Sequence, residues 1–166
     1  MKVLARQVWQ DLLEHKIQAG VQLSGYLSIR TGGPARFLLE AGDGEEIRQA
    51  WLAARDMGIR VLVMGRGSNL LMPDSGFDGL VIRLGDGFSG VRLEGTRLVA
   101  QAGVTLKALG NLAAENGLAG LAFAAGIPGS LGGALLMNAG AFNGEMSQVV
   151  ESVDCLDRAG KRLTLT

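Results

Sequence analysis

The sequence predicts an α+β protein built as two small lobes. Apolar periodicity in the first half alternates between helical and strand spacing, whereas the second half carries two hairpin patterns and one helix pattern. The 166 residues, 48% of them hydrophobic, suffice for a packed core, and no repeat or charged linker separates the halves. The pattern changes near residue 85, so we expect lobes over residues 1–84 and 85–166 that share a ligand.

The first lobe is expected to contain helices followed by strands. Asp43 and Glu46 form a capping-box pattern at the start of a helix, in which Trp51 is expected to face the core. A nearly all-apolar run follows that helix, which is typical of a strand covered on both faces. The predicted elements are a helix over 3–18 that ends before Gly20, a strand over 35–41, a helix over 43–57 that ends at Gly58, and strands over 60–64 and 79–84.

The second lobe is expected to be rich in hairpins. Strands over 90–93 and 96–102 flank the turn at Glu94-Gly95, and Thr105 is suited to cap a helix that runs to Asn116. A second hairpin pattern covers 152–157 and 161–166. Its last strand runs to the final residue, so we expect the domain to be cut there.

Charge and residue content exclude several function classes. Sixteen basic and sixteen acidic residues cancel, so we expect neither a nucleic acid nor a membrane as partner. Cys155 is the only cysteine and His15 the only histidine, which argues against a metal site and a histidine-centred triad. We expect a half-buried strand position for Cys155 and a surface position for His15. Without an apolar run long enough to cross a membrane, a cytoplasmic location is expected.

The segment from Gly126 to Met146 is the most informative part of the chain. It clusters glycines around Pro128, Ser130 and Asn138. Glycine costs conformational entropy on folding, so this density predicts a loop whose main-chain N–H groups approach a bulky anion, for which a pyrophosphate is the obvious candidate.

A second glycine loop, Gly65 to Leu71, directly follows the strand predicted over 60–64. It is not a dinucleotide fingerprint, because Leu70 occupies the sixth place and a turn follows instead of a helix, and no Walker A sequence occurs. The two loops together could grip a diphosphate with neutral donors. For each loop alone, a tight turn that needs positive φ remains an equal alternative.

Three sequence blocks resemble one family, the UDP-N-acetylenolpyruvoylglucosamine reductases (MurB). The blocks occur in the family's order and cover Ser28–Ala35, Val63–Leu71 and Gly126–Phe142. Ser28, where many members have threonine, and Asn143, where glycine is frequent, are mild departures. The resemblance implies an FAD-binding fold of the vanillyl-alcohol-oxidase (PCMH) type, in which two α/β lobes hold an extended FAD. It also implies that this chain stops before the substrate domain.

The resemblance also implies which residues hold FAD. The loops would line the diphosphate and ribityl chain, the residues after the second loop would continue toward the flavin, and Ala102 with Gly103 would lie near the adenine. The implied FAD-binding residues are Met64, Gly65, Arg66, Gly67, Ser68, Asn69, Leu70, Ala102, Gly103, Ala125, Gly126, Ile127, Pro128, Gly129, Ser130, Gly132, Gly133, Ala134, Asn138 and Gly140.

In such a reductase, NADPH reduces the flavin, which passes a hydride to the enolpyruvyl double bond of UDP-N-acetylglucosamine enolpyruvate. The product, UDP-N-acetylmuramate, is a peptidoglycan precursor. The resemblance implies an arginine of a Tyr-Arg motif, a serine and a glutamate as catalytic groups, all C-terminal to Thr166. This chain alone is therefore expected to be inactive.

Two alternatives to the reductase remain. A related FAD oxidase of the same fold often anchors its flavin through a histidine, a role that His15 on its charged helix fits poorly. An FAD-binding module or fragment could also lack catalytic activity of its own. If the domain is cut at its last strand, an unpaired strand edge and apolar surface are expected to make the chain self-associate.

Overall fold

The computed structural model describes residues 2–166, so Met1, the first residue of the predicted first lobe, lies outside the described residues. Helices and strands of the first half precede a second half built mainly from hairpins. The elements are, in chain order, α1 (Lys2–His15), β1 (Ile17–Gln22), β2 (Pro34–Glu40), α2 (Gly44–Asp56), β3 (Val61–Met64), β4 (Phe77–Arg83), β5 (Val91–Glu94), β6 (Arg97–Ala100), α3 (Leu106–Glu115), α4 (Leu131–Leu136), β7 (Gly140–Ala141), β8 (Gly144–Glu145), β9 (Val153–Leu156) and β10 (Arg162–Leu165).

A four-stranded sheet in the order β1-β2-β4-β3 organises the first half. β1 runs antiparallel to β2, whereas β4 is parallel to both β2 and β3. One apolar cluster joins the sheet to α1 and α2 through residues such as Trp9, Leu39 and Leu80. A second cluster, with Leu38 and Val81, joins it to the irregular segment around Leu23. The carboxyl ends of β2, β3 and β4 therefore point to the same edge, where ligands of open α/β sheets commonly bind.

The predicted helix over 3–18 is wrong at its end. α1 ends at His15, and Ile17 instead opens β1, where it is buried and pairs with Leu39. Gly20, the expected stop, lies inside β1 with φ +65°. An apolar residue at helical spacing cannot reveal that a neighbouring strand will take it, because strand pairing is a tertiary choice.

Two predictions of burial were also wrong. β3 is an edge strand and Val63 is 46% exposed, so the run 60–64 is not covered on both faces. The inner strand β4 is the one that is buried without interruption, from Gly79 to Ile82. Trp51 is only half-buried, and its indole N–H donates to the carbonyl oxygen of Arg158 at 3.1 Å. A chain segment 107 residues away thus occupies the place where the core was expected.

The caps predicted from the sequence are confirmed. The Asp43 carboxylate accepts a hydrogen bond from the N–H of Glu46 at 2.8 Å, and the Thr105 hydroxyl accepts one from the N–H of Ala108 at 3.1 Å. The Glu46 carboxylate accepts from the N–H of Gly42, one residue earlier than an ordinary capping box requires. The starts of α2 and α3 therefore follow from local chemistry.

The second half packs around its own apolar cluster, which includes Leu106, Leu109, Phe123 and Met146. The two predicted hairpins are confirmed as β5–β6 and β9–β10. The segment from Gly126 to Met146 is not a continuous loop, because α4 forms within it. The predicted division between residues 84 and 85 stays a prediction.

Two smaller expectations, for His15 and Cys155, are confirmed. His15 is exposed, with its Nδ1 3.0 Å from the carbonyl oxygen of Asp11, and Cys155 is half-buried on β9. Over residues 2–166, no helix has the length and apolar character needed to cross a bilayer.

Replacing Leu80 by Ala should lower the free energy of unfolding by about 2–5 kcal/mol, because Leu80 is fully buried in the central strand. Urea denaturation followed by circular dichroism measures the change. The matched variant Leu71→Ala removes the same atoms from an exposed side chain and should cost less than about 0.5 kcal/mol. Equal losses in the two variants would contradict the central position of β4.

Candidate cofactor site

The first glycine loop, residues 65–71, leaves the carboxyl end of β3. Gly67 has φ +66°, and a β-carbon there would overlap the carbonyl oxygen of Tyr26 and lie 2.8 Å from Leu27 Cδ2. The N–H of Ser28 donates to the Gly67 carbonyl at 3.2 Å. Within the described chain, the N–H groups of residues 65–70 donate to no backbone carbonyl. Their donors are therefore available to a ligand.

The second glycine loop, residues 126–134, is fixed against the segment that precedes α3. Three main-chain hydrogen bonds join them, from Leu106 N to Gly129 O at 3.3 Å, Leu131 N to Val104 O at 2.8 Å and Gly132 N to Ala102 O at 2.8 Å. Gly129 has φ +151°, a conformation that side chains disfavour. The conformation of this loop is thus set by main-chain pairing.

The two loops, which lie about sixty residues apart in sequence, are in direct contact. A β-carbon on Gly65 would overlap the Oγ of Ser130, and one on Gly129 would lie 3.2 Å from the Oγ of Ser68. Ser130 is 2% exposed and is the buried polar residue of the described core. In each loop, the serine of the other loop therefore packs in the space beside a glycine.

Ala102 and Gly103 join the same contact region. A β-carbon on Gly132 would lie 2.8 Å from the Ala102 Cβ, and one on Gly103 would overlap the carbonyl oxygens of Gly85 and Phe88. The N–H of Gly103 donates to Phe88 O at 2.8 Å. The turn that follows β4 thus contacts the segment of Ala102 and Gly103 through glycines as well.

The other predicted site residues divide by burial. Met64 and Ala134 are buried, whereas Ile127 and Leu70 are half-buried against apolar clusters, so these four support the loops from behind. The predicted residues that are exposed on the loops or beside them are Arg66, Asn69, Ala125, Gly126, Pro128 and Gly133.

Asn138 and Gly140 are not brought into the contact between the loops. The Asn138 Oδ1 accepts a hydrogen bond from the N–H of Ser147 at 2.9 Å, and Gly140 pairs with Glu145 in the β7–β8 hairpin. Hydrogen bonds from the Ser147 hydroxyl and the Asn138 side chain hold the pKa of Glu145 below its ordinary value. The carboxylate of Glu145 therefore stays ionised beside this end of the segment.

Charge near the two loops is sparse. Arg66 is half-exposed and its Nη1 lies 3.3 Å from the Asp86 carboxylate, so much of its charge is balanced. The part of the chain that the structure describes holds no group of three His, Cys, Asp or Glu side chains arranged for a metal ion. What the loops offer is a set of neutral N–H and hydroxyl donors, which suits an anion that carries its own charge.

Sequence reasoning missed two residues behind the first loop. Arg83 ends β4 with its Cζ 5.1 Å from the ring centroid of Tyr26, and the Tyr26 carbonyl is the group that approaches Gly67. An arginine at the end of an apolar strand next to a glycine turn was the available signal. Tyr26 had no local signal, because its role depends on a contact with a distant loop.

Comparison with known proteins defines the class of this chain. Residues 35–166 match the family model described as the FAD binding domain, so the chain belongs to that family. The loops fit the cofactor of that class, since the N–H groups of residues 65–70 donate to no backbone carbonyl in the described chain and a β-carbon on Gly126 would meet nothing within 4 Å.

Within that class, the chain is a homologue of UDP-N-acetylenolpyruvoylglucosamine reductase, MurB. It is 44% identical over 157 residues to the enzyme of Desulforamulus reducens, covering 95% of this chain and 52% of the relative. The relative from Azorhizobium caulinodans is 44% identical over 149 residues, with 90% and 48% covered. The MurB structure from Thermus caldophilus superposes with a TM-score of 0.74 at 36% identity, covering 87% of this chain and 50% of that one.

The chain spans about half the length of these curated relatives. More distant structures show the fold alone. Phl p 4, a grass pollen allergen with glucose dehydrogenase activity, superposes at a TM-score of 0.65 with 14% identity, covering 95% of this chain and 37% of its own. A VAO-type flavoprotein from Myceliophthora thermophila gives 0.59 at 14%, with 79% and 26% covered. The expected VAO-type fold and the family resemblance are confirmed.

The variant Gly65→Ala should lose about 1–3 kcal/mol of unfolding free energy, because the new methyl group overlaps the Ser130 hydroxyl. Adding Ser130→Ala should recover most of that loss, because only a 3.2 Å contact with the Ser130 Cβ remains. Chemical denaturation of the single and double variants measures the coupling.

Gly44→Ala is the matched control, since a β-carbon on Gly44 meets nothing within 4 Å. It should leave the unfolding free energy within about 0.5 kcal/mol of the parent, in the presence or absence of Ser130→Ala. Additive effects of Gly65→Ala and Ser130→Ala would contradict the direct contact between the loops.

Proposed function

We propose that this chain binds FAD in the region where its two glycine loops meet. The contact between these loops, Gly65 with Ser130 and Gly129 with Ser68, is the observation that carries the proposal. Membership of the FAD binding domain family supports it. The lobes over residues 1–84 and 85–166 then act as the two sides of one cofactor site.

The donors proposed for the FAD diphosphate are main-chain N–H groups together with hydroxyls. Several main-chain N–H groups donate to no backbone carbonyl within the described chain, namely those of residues 65–70, Gly129, Ser130 and Gly133. Ser68 and Ser130 supply the hydroxyls. A diphosphate carries its own negative charge, which strengthens these neutral hydrogen bonds without a lysine cluster. Ala102 and Gly103 are proposed to lie toward the adenine, and Asn138 to Gly140 toward the flavin.

We further propose that the chain is the FAD-binding half of a reductase that converts UDP-N-acetylglucosamine enolpyruvate to UDP-N-acetylmuramate in peptidoglycan precursor synthesis. Relatives that carry the reductase name are 44% identical to it over 90–95% of its length. When bound, FAD supplies hydride transfer from NADPH to the UDP-sugar. The residues of this chain hold and orient the cofactor, and the proton donor and stabilising charges belong to the half of the relatives that it does not span.

Cytoplasmic location and self-association of the chain stay predictions. Exposed apolar side chains favour self-association. The exposed side chains include Leu165 on β10, Leu136 at the end of α4 and Phe142 in the turn of the β7–β8 hairpin. Exposed surface of this kind commonly forms interfaces.

Purified wild-type chain titrated with FAD should quench flavin fluorescence saturably at one FAD per chain. Gly129→Val should raise the dissociation constant at least about tenfold, because a side chain at φ +151° strains the loop and crowds Ser68. Gly44→Val, on the exposed start of α2, should bind like wild type. A wild-type chain that takes up no FAD would contradict the proposed cofactor.

A chimera tests the proposed reaction. If this chain replaces the first half of the Desulforamulus reducens enzyme, NADPH oxidation should depend on the enolpyruvyl UDP-sugar, because the second half supplies the groups proposed to be missing. Absorbance at the nicotinamide band measures the rate. A chimera that binds FAD but shows no dependence on the UDP-sugar would contradict the reductase and leave a flavin-binding module.

A further inference from the structure

Arg83 lies behind the two glycine loops without belonging to either. It is the last residue of β4, and its register partners are Glu40 on β2 and Met64 on β3. Met64 immediately precedes the first loop, and the N–H of Leu84 donates to the Met64 carbonyl at 2.8 Å. Arg83 thus occupies the centre of the sheet edge from which the first loop emerges.

The guanidinium of Arg83 is held from three directions. Its Nη1 lies 2.9 Å from the Glu40 Oε2, and its Cζ lies 5.1 Å from the centroid of the Tyr26 ring. A β-carbon on Gly85 would lie 3.1 Å from the same Nη1. The side chain is 19% exposed, so these contacts largely enclose it. A planar group between a ring, a carboxylate and a backbone turn has little freedom to rotate.

This arrangement is poorly explained by stability alone. The Nε of Arg83 is buried and has no hydrogen-bond partner among the described residues, which costs free energy. Removing one partner of an ion pair is costly when the other stays buried, but Glu40 is 44% exposed and can be solvated without Arg83. A methionine would fill this position without the unmet donor. The arginine therefore has a cost that its contact with the half-exposed Glu40 does little to offset.

Two contacts of Arg83 lead directly to the glycine loops. Tyr26, which carries the stacked ring, places its carbonyl oxygen against Gly67. Gly85, which packs on the Nη1, places its carbonyl oxygen against Gly103, which follows the β5–β6 hairpin. Movement of the guanidinium would therefore be transmitted to the first loop through Tyr26 and to the segment of Ala102 and Gly103 through Gly85.

We propose that Arg83 is a positioning residue that sets the conformation of the first glycine loop and its distance from the segment of Ala102 and Gly103. It acts through Tyr26 and Gly85 and touches no ligand itself. The effect of this role on FAD binding rests on the proposed FAD site. A loop that is already held in place loses less conformational entropy when a cofactor binds. The loop order itself is a property of the chain without FAD.

The test compares Arg83→Met with Arg60→Met. Arg60 is a matched control because its Cζ lies 5.2 Å from the Phe77 ring centroid and its guanidinium donates to the Asp78 carbonyl, at the opposite end of the sheet. Arg83→Met should raise the FAD dissociation constant about tenfold or more, whereas Arg60→Met should change it less than about twofold.

Hydrogen exchange without FAD supplies the second readout. In Arg83→Met, the amides of Ser28, Phe88 and Gly103, whose hydrogen bonds hold the first loop and the turn after β4, should exchange faster, while those of α2 keep their parental rates. In Arg60→Met, the same three amides should exchange as in wild type. Arg83→Lys, which keeps the charge beside Glu40 but lacks the flat face on Tyr26, should fold and give intermediate values for both measurements.

Unchanged loop exchange and unchanged FAD affinity in Arg83→Met and Arg83→Lys would overturn the positioning role. Faster exchange throughout the chain, α2 included, would overturn it as well, since it would mean a general loss of stability. If the wild-type chain fails to bind FAD, the proposed cofactor is wrong, and the exchange rates of the Ser28, Phe88 and Gly103 amides then decide the positioning role independently.

Discussion

The absence of two side chains, at Gly65 and Gly129, is the constraint on which the contact between the two halves depends. Each glycine receives the serine of the opposite loop, so any β-carbon at Gly65 would push Ser130 away. Within the second half, Gly103 and Gly132 likewise leave room for the carbonyl oxygens of Gly85 and Phe88 and for Ala102. The contact between the halves at this place therefore rests on the two glycine–serine pairs.

A contact of this kind between two loops explains why an anion site there needs no local excess of positive charge. The chain has no net charge, and Arg66 on the first loop pairs with Asp86. Fixed N–H groups are useful to an anion only if the loops that carry them are held still, because otherwise ordering the loops consumes binding free energy. The main-chain bonds from residues 129–132 to residues 102–106 hold the second loop. The first loop has a single main-chain hydrogen bond of this kind, from the N–H of Ser28 to the Gly67 carbonyl, and depends more on the side chains behind it.

The sequence predicted elements that local chemistry decides and failed where distant segments decide. The caps at Asp43 and Thr105 and both hairpins were predictable because the residues that form them are neighbours in sequence. Ile17 and Val63 were misjudged because pairing with another strand, or its absence, fixes their environment. The glycines of the site could be located from their density in the sequence. The contacts of Gly65 and Gly129 with the serines of the opposite loops could not be predicted, because they join positions about sixty residues apart.

The β9–β10 hairpin adds a second connection between the halves, far from the loops. The carbonyl oxygen of Arg158 accepts hydrogen bonds from the indole N–H of Trp51 at 3.1 Å and from the guanidinium of Arg55 at 2.9 Å. Gly160 is buried against Leu52, where a β-carbon would lie 3.0 Å from that side chain. Two donors on one carbonyl, from the same face of α2, resist sliding as well as separation. The halves are therefore held together at two places, the contact between the two glycine loops and the contact between α2 and the β9–β10 hairpin. Two separated connections restrict rotation about either one. A site assembled from both halves can then keep its donors aligned although the halves have separate cores.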